Sequence, residues 1–258
     1  MTGSTNAKCQ RWNRHRTSYR PAGEPIPTNE YGVDEIGKAE AKGFVERHHY
    51  SRSFPARRYS FGLFHGRTLV GVAVFSVPMS QAIIPKYCGT EPNAGVELGR
   101  FVLLDSVPAN GETWFLSRAF KLLPDSILAV LSYSDPLPRK SLAGQLVKPG
   151  HVGTIYQAAN AAYFGQNRPS TIYLADNGEI VSRRALSKLK NGERGRDHVR
   201  EMLTDLVGPK LRGESDAGYV ERIKHSLRAI RHPGNHTYAW ALNKRIKITS
   251  KQTYPKAA

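Results

Sequence analysis

Cysteine is nearly absent from this 258-residue chain. Cys9 and Cys88 are the only two, too few for a cysteine-rich zinc site or a disulfide framework. Long apolar runs are missing as well: the longest, Leu69 to Met79, is too short to span a bilayer. The opening MTGSTNAKCQRWNRHR lacks the apolar core of a secretory signal. Together these predict a soluble protein of a reducing cytoplasm. Negative charge is the next shortage, with 21 Asp and Glu against 38 Lys and Arg, a net charge of +17 and a pI near 10.0. What is present argues against wholesale disorder: 40% of residues are hydrophobic, including three Trp, nine Phe and twelve Tyr. No internal repeats are visible.

The basic excess is uneven. Residues 1–60 hold 11 basic and 6 acidic residues, residues 61–181 hold 9 and 8, and residues 182–258 hold 18 and 7. A near-neutral centre between two basic ends suits a catalytic core with flanking contacts to a polyanion. Lys and Arg contacts to phosphates release counterions and dominate nucleic-acid affinity. No basic amphipathic helix with a wide apolar face stands out, which favours nucleic acid over a membrane surface.

Residues 1–30, punctuated by Pro21, Pro25 and Pro27, predict a flexible basic arm carrying Arg11, Arg14 and Arg16. Apolar spacing predicts a helix over 34–48 and strands over 59–64 and 68–75, joined at His65-Gly66-Arg67. A strand over 96–104, a helix over 114–123, a strand over 127–133 and a helix over 153–160 follow. Later come helices near 197–207 and 219–230, and a last strand over 238–242. The order describes an α/β fold with a mixed, mainly antiparallel sheet flanked by helices. Its expected parts are the arm 1–30, a core 31–181 and a basic extension 182–258 packed on the core and contacting DNA.

Strand Glu97–Leu104 runs through Asp105-Ser-Val-Pro-Ala-Asn-Gly-Glu-Thr113 into a helix. Free amides of such a loop suit a pyrophosphate, which makes Leu103, Asn110, Gly111 and Thr113 candidate cofactor contacts. An ordinary turn with Thr113 as helix cap explains the same residues. Thr154-Ile-Tyr-Gln-Ala-Ala-Asn160 is similar to the L-Y-E-K-L-G-F segment of GNAT N-acyltransferases. By that likeness Tyr156 falls where such enzymes keep a tyrosine that protonates the departing coenzyme A thiolate. Their R/Q-x-x-G-x-G/A loop is replaced here by Val107-Pro-Ala-Asn-Gly111.

Four segments in this order, His49-Tyr-Ser-Arg52, Glu97-Leu-Gly-Arg-Phe101, Ser132-Tyr-Ser-Asp135 and Gly150-His-Val-Gly-Thr-Ile-Tyr-Gln157, resemble the phage Mom family. The likeness covers about residues 40–190, with an echo at His236-Thr-Tyr-Ala-Trp240. It implies a GNAT-like, phage-encoded enzyme of the host cytoplasm that converts DNA adenine to N6-carbamoylmethyladenine and so protects DNA from restriction. It also implies bound iron, with His49, Tyr50, Asp135 and Tyr156 as ligands, and a small-molecule donor such as acetyl-CoA or another acyl donor. The stretch Pro136–Pro149 is longer than the family's pattern. Residue chemistry alone favours reading His48 and His49 as a helix end that complements the helix dipole, and reads Asp135 before Pro136 equally well as a turn.

Adenine N6 is a weak nucleophile and is paired in duplex DNA, so its modification needs base extrusion, aromatic stacking and proton removal. Asp135, Tyr156, Tyr50 and Ser117 are the candidate catalytic residues, with Ser132 and Ser134 as further hydrogen-bonding candidates. Tyr133 and Trp114 are candidate pocket walls. Arg52, Arg57, Arg58, Arg183, Arg184, Lys188, Lys190 and Arg194 are candidate contacts to double-stranded DNA, with Lys244-Arg-Ile-Lys247 behind them. Two other readings stay open: an N-acyltransferase for a basic or RNA-linked substrate, and a DNA-binding protein with an inactive core.

Overall fold

The computed structural model describes residues 8–13, 16–21, 25–250 and 252–255, the first two segments as backbone. Two compact units emerge: residues 1–135, 151–166 and 235–258 form the first, and residues 136–150 and 167–234 the second.

In the first unit, β1 (Lys8–Asn13) and β2 (Arg16–Pro21) pair antiparallel, so this part of the expected flexible arm is a hairpin. Trp12, Thr17 and Tyr19 belong to the residue types that favour extended backbone. Arg14 and the side chains of Arg11 and Arg16 lie outside the described residues. Next come β3 (Tyr31–Glu35), α1 (Lys38–His48), β4 (Arg57–His65), β5 (Thr68–Ser76), α2 (Ile83–Cys88), β6 (Gly95–Leu103), α3 (Gly111–Leu122) and β7 (Ala129–Ser134). The second unit then contributes β8 (Arg139–Lys140) and β9 (Leu146–Lys148), the first unit resumes with α4 (Thr154–Ala158) and β10 (Ala162–Gln166), and the chain leaves again.

The sheet of the first unit has seven strands in the order β10-β14-β7-β6-β5-β4-β3, where β14 is His236–Ala241. Every neighbour is antiparallel except β6 and β7. The mixed, mainly antiparallel sheet flanked by helices expected from sequence is therefore what forms. Strand β5 is buried on both faces: Ala73 and Phe75 pack with Phe115 and Leu116 of α3, while Val72 and Val74 pack with Phe44 and Val45 of α1. Gly66, at φ 56°, makes the turn between β4 and β5. The helix expected from residue 34 starts only at Lys38, because Tyr31–Glu35 pairs with β4 instead.

The second unit holds β11 (Ser170–Leu174), β12 (Ile180–Val181), α5 (Arg183–Lys190), α6 (Arg196–Val207), α7 (Asp216–Ser226) and β13 (Arg228–His232). Its three-stranded sheet runs β12-β11-β13. The side chains of Ser182 and Ser215 cap α5 and α7 by accepting from Ala185 and Gly218 amides. Its core gathers Leu186, Leu189, Leu203, Tyr219 and Ile223.

The expected boundary between 181 and 182 is corrected by this division. The second unit begins with 136–150 and 167–174, and the last strand returns to the first unit's sheet, because β14 pairs with β7 and β10. The helix expected over 219–230 ends at Ser226, since Arg228–His232 pairs with β11. Leu189 is fully buried, so Leu189→Ala is expected to lower stability by about 2–5 kcal/mol. Urea unfolding followed by helical circular dichroism measures this, and a loss below about 0.5 kcal/mol would refute the packing described.

Candidate active site

Strands β6 and β7 pair only over Gly95–Glu97 and Ala129–Leu131 and then part. At the parting, the buried Ser132 hydroxyl donates to the Leu98 carbonyl at 3.1 Å. On its other edge β6 slips in register against β5 between Leu98 and Arg100. The bulge needs Gly99, where a Cβ would stand 2.6 Å from Ser76 Oγ. Beyond it lies Arg100, whose Nε donates to the Ser53 carbonyl at 2.8 Å and Nη2 to Ser53 Oγ at 2.7 Å. Burial lowers the pKa of Arg100, while Tyr50, Glu97 and Tyr156 oppose that shift. An arginine starts so far above neutrality that it stays charged. Burial raises the Glu97 carboxyl, with Arg100 pulling the other way.

Tyr156 comes from α4, which starts after Gly153 at φ 75°. A Cβ on Gly153 would lie 2.8 Å from Tyr238 Cε2 and 2.9 Å from Tyr156 Cδ2, so glycine lets these rings close up. The Tyr156 ring is 5.4 Å from that of Tyr238 and stands edge-on to Trp240 at 5.5 Å. Burial raises the Tyr156 pKa, and the Ser132 hydroxyl only moderates the rise. The phenol is therefore protonated at neutral pH. Tyr238 donates to the Val152 carbonyl, and burial pushes its pKa up to about 12. Tyr163 Oη sits 2.7 Å from His236 Nδ1 in the same aromatic group. Arg100, Glu97, Tyr50, Tyr156 and Ser132 thus form one electrostatic neighbourhood at the parting strands, backed by Tyr238 and Trp240.

Of the expected catalytic residues, Tyr50 and Tyr156 share that neighbourhood through Arg100. Asp135 directly follows β7, and its carbonyl accepts from the His151 amide at 3.0 Å. Ser117 is a correction: it is exposed on α3, whose buried face carries Phe115, Leu116 and Ala119. Ser134 is buried beside Gly153. The expected cofactor loop is also recast. Helix α3 begins at Gly111, so Asn110 and not Thr113 is the cap position. A Cβ on Gly111 would stand 2.4 Å from Val107 Cγ1, so that glycine serves packing. Leu103 lies in the core, and Thr113 Oγ1 donates to the Asn110 carbonyl at 3.2 Å.

Among the side chains expected to hold an iron ion, His49 meets an obstacle in its own hydrogen bonding. His49 Nδ1 accepts from the Ser51 amide at 3.1 Å, which puts the proton of a neutral imidazole on Nε2. Among the described residues, no three or more His, Cys, Asp and Glu gather to hold a metal.

The arginines expected to meet DNA divide into two kinds. Arg57 is tied to Ser60 Oγ, Glu35 and the Ile36 carbonyl, and Arg58 to the Asn93 and Gly95 carbonyls. Both therefore brace the fold. Arg52 is exposed at φ 45°. In the second unit, Arg184 grips Glu193 and Lys190 reaches Glu221 at 3.3 Å, while Lys188 is half-buried and Arg183 and Arg194 are exposed. Arg100 and Glu97 were absent from the sequence candidates. Their signal was there: two charged residues inside an otherwise apolar strand, where charge is rarely buried without a partner.

The model of the Mom protein family matches residues 30–256. The methylcarbamoylase Mom of Escherichia phage Mu is 31% identical over 170 residues, which are 64% of this chain. The match spans 65% of that relative's length. Among solved structures, a tandem GNAT protein from the clavulanic acid biosynthesis pathway, without AcCoA, superposes with a TM-score of 0.43 at 10% identity. That superposition covers 83% of this chain and 99% of the other. No helix among the described residues is long and apolar enough to cross a membrane.

Burial lowers the His236 pKa below its usual 6.5, so the unfolded chain binds more protons through that window. Stability is then expected to rise as pH climbs towards 6.5 and to be lost as pH falls through the folded value. His236→Gln should flatten this slope in urea titrations between pH 4 and 7. An unchanged slope would mean that His236 is not the group responsible.

Proposed function

Because this chain belongs to the Mom protein family, we propose that it modifies DNA, converting adenine to N6-carbamoylmethyladenine and so shielding phage DNA from restriction. The observation that carries the reading is Arg100, fixed on Ser53 beside the point where the parallel strands part and electrostatically coupled to Glu97, Tyr50 and Tyr156. The relative from phage Mu, named a methylcarbamoylase, supports the same chemistry.

Each residue has a task that its environment suits. An extruded adenine needs a stacking surface, for which the Tyr50 ring and the Tyr156–Tyr238–Trp240 group are the aromatic candidates. Arg100 is fixed by two bonds to Ser53, so its charge is already oriented towards an oxygen that gains negative charge as N6 attacks. Asp135 is the base for the N6 proton. Tyr156, kept protonated by burial, can return a proton to the departing group of an acyl donor. Acyl transfer alone would join N6 to a carbonyl carbon, whereas the product carries N6 on a methylene carbon. The methylene attachment and the amide nitrogen have to come with the donor or from a nitrogen-supplying co-substrate, so Arg100, Tyr156 and Asp135 are assigned only to the attack of N6 and the departure of the donor's leaving group.

Nucleoside mass spectrometry of plasmid DNA from cells expressing the protein tests the reading. The wild type should give a heavier deoxyadenosine whose mass names the added group. Asp135→Asn, Tyr156→Phe and Arg100→Lys should each cut its yield by about 10²-fold or more. Unmodified deoxyadenosine from cells holding soluble protein would overturn the proposal. Undiminished modification by all three variants would overturn the assignment of roles.

A further inference from the structure

Helices α5 and α6 of the second unit are joined by Asn191-Gly-Glu-Arg-Gly195, with Gly192 at φ 68° and Gly195 at φ 82°. Gly192 has an ordinary reason, since the last turn of a helix often closes through a left-handed glycine. Gly195 lacks one: the other two capped helices of this unit start from serines that supply a side-chain oxygen. What the two glycines share is their surroundings. A Cβ on Gly192 would meet only Arg196 Nη1, at 2.9 Å, and one on Gly195 only Lys188 Nζ, at 3.8 Å. Bare backbone is thus exposed with a cation over each glycine.

The loop's single carboxylate does not cancel this charge. Glu193 is gripped at both oxygens by Arg184, which holds its carboxyl below the usual range. Arg194 is exposed at the tip, and the amides of Arg194 and Gly195 donate to no backbone carbonyl among the described residues. Beside the loop opens a cavity of about 590 Å³ lined by Gly192, Lys190, Arg196, Arg200, Lys210 and Asp216. Asp216 is shared by Arg200 at 2.9 Å and Lys210 at 2.8 Å, Arg200 also holds Asp197 at 2.7 Å and Lys190 reaches Glu221 at 3.3 Å, which leaves Arg196 as the lining cation outside these ion pairs.

We infer that this loop and cavity form a second nucleic-acid site, which clamps the phosphodiester backbone of a single strand. A Gly-x-x-Gly turn between two helices is an established way of gripping consecutive backbone nucleotides, because a phosphate can reach the main chain only where no Cβ intervenes. The free amides and guanidinium groups match phosphate oxygens, and charge-assisted bonds of this kind are the strong ones. The site does not rest on the adenine chemistry proposed for the first unit.

The test uses the full chain and fluorescence anisotropy with labelled twelve-nucleotide single strands, one of DNA and one of RNA. Arg194→Asp/Arg196→Glu is compared with Arg67→Asp/Lys121→Glu, a control of equal charge change at two exposed sites of the first unit. The loop variant should bind at least tenfold more weakly than the control, and its salt dependence should flatten by about 0.7 for each phosphate it no longer neutralises. The strand that binds the wild type more tightly names the natural partner. Equal affinity of the two variants would overturn the inference. If the loop variant loses helical dichroism, Arg194→Asp is compared with Arg67→Asp, again at equal charge change. Plasmid mass spectrometry separates the two proposals: modified adenine with loop-independent binding overturns only this one, and loop-dependent binding without modification overturns only the other.

Discussion

The parting of two parallel strands is the constraint on which the first unit's chemistry depends. Pairing stops after Glu97 and Leu131, yet a buried backbone needs its polar groups satisfied. Ser132 resolves the conflict by taking over at the Leu98 carbonyl. The same residues that end the ladder then set the site. The Ser132 hydroxyl also touches the electrostatics of Tyr156, and the Gly99 bulge on the opposite edge sets where Arg100 emerges.

The electrostatics then follow from burial more than from any single partner. Desolvation is the largest influence on Arg100, Glu97 and Tyr156 alike. For the phenol it secures the proton, and for the carboxyl it weakens ionisation. For arginine it leaves the charge intact but makes each remaining partner more valuable, since fixed charges act strongly where water is scarce. The group is consequently suited to holding a proton and stabilising a developing anion, and poorly suited to gathering another cation.

The parts legible in the sequence were those whose evidence is local. The alternation of Tyr59–Phe64 and the apolar run after Thr68 define a hairpin because period and turn agree at Gly66. Arg228–His232 was read as a continuing helix because its apolar spacing allows that; only pairing with Ser170–Leu174, far away in sequence, makes it a strand. Strand β10 is similar, being short and defined by Ala239 and Tyr238 opposite. The tyrosine and aspartate candidates were legible through a segment order resembling a family. Arg100 stood inside one of those segments, but its significance lies in Ser53 and Tyr156, which the sequence does not place beside it. Ser117 failed for the opposite reason: residue type suggested chemistry, and the helix face turned it outward.

Chain topology separates the two proposed tasks. The second unit leaves the first at Asp135 and returns at His151, then leaves at Gln166 and returns at Asn235. Each exit is closed within the first unit, by the His151 amide on the Asp135 carbonyl and by Gln166 opposite His236. Closure across such short gaps leaves β7, α4, β10 and β14 held by their own pairing, so loops of the second unit can vary at little cost to the sheet. The two kinds of contact differ in what they can contribute. Phosphate contacts add affinity without placing a base, whereas Arg100 and Tyr156 act over distances where an ångström of displacement changes rate. Loss of charge at Arg194 and Arg196 should therefore appear in binding, and loss of the Tyr156 hydroxyl in turnover.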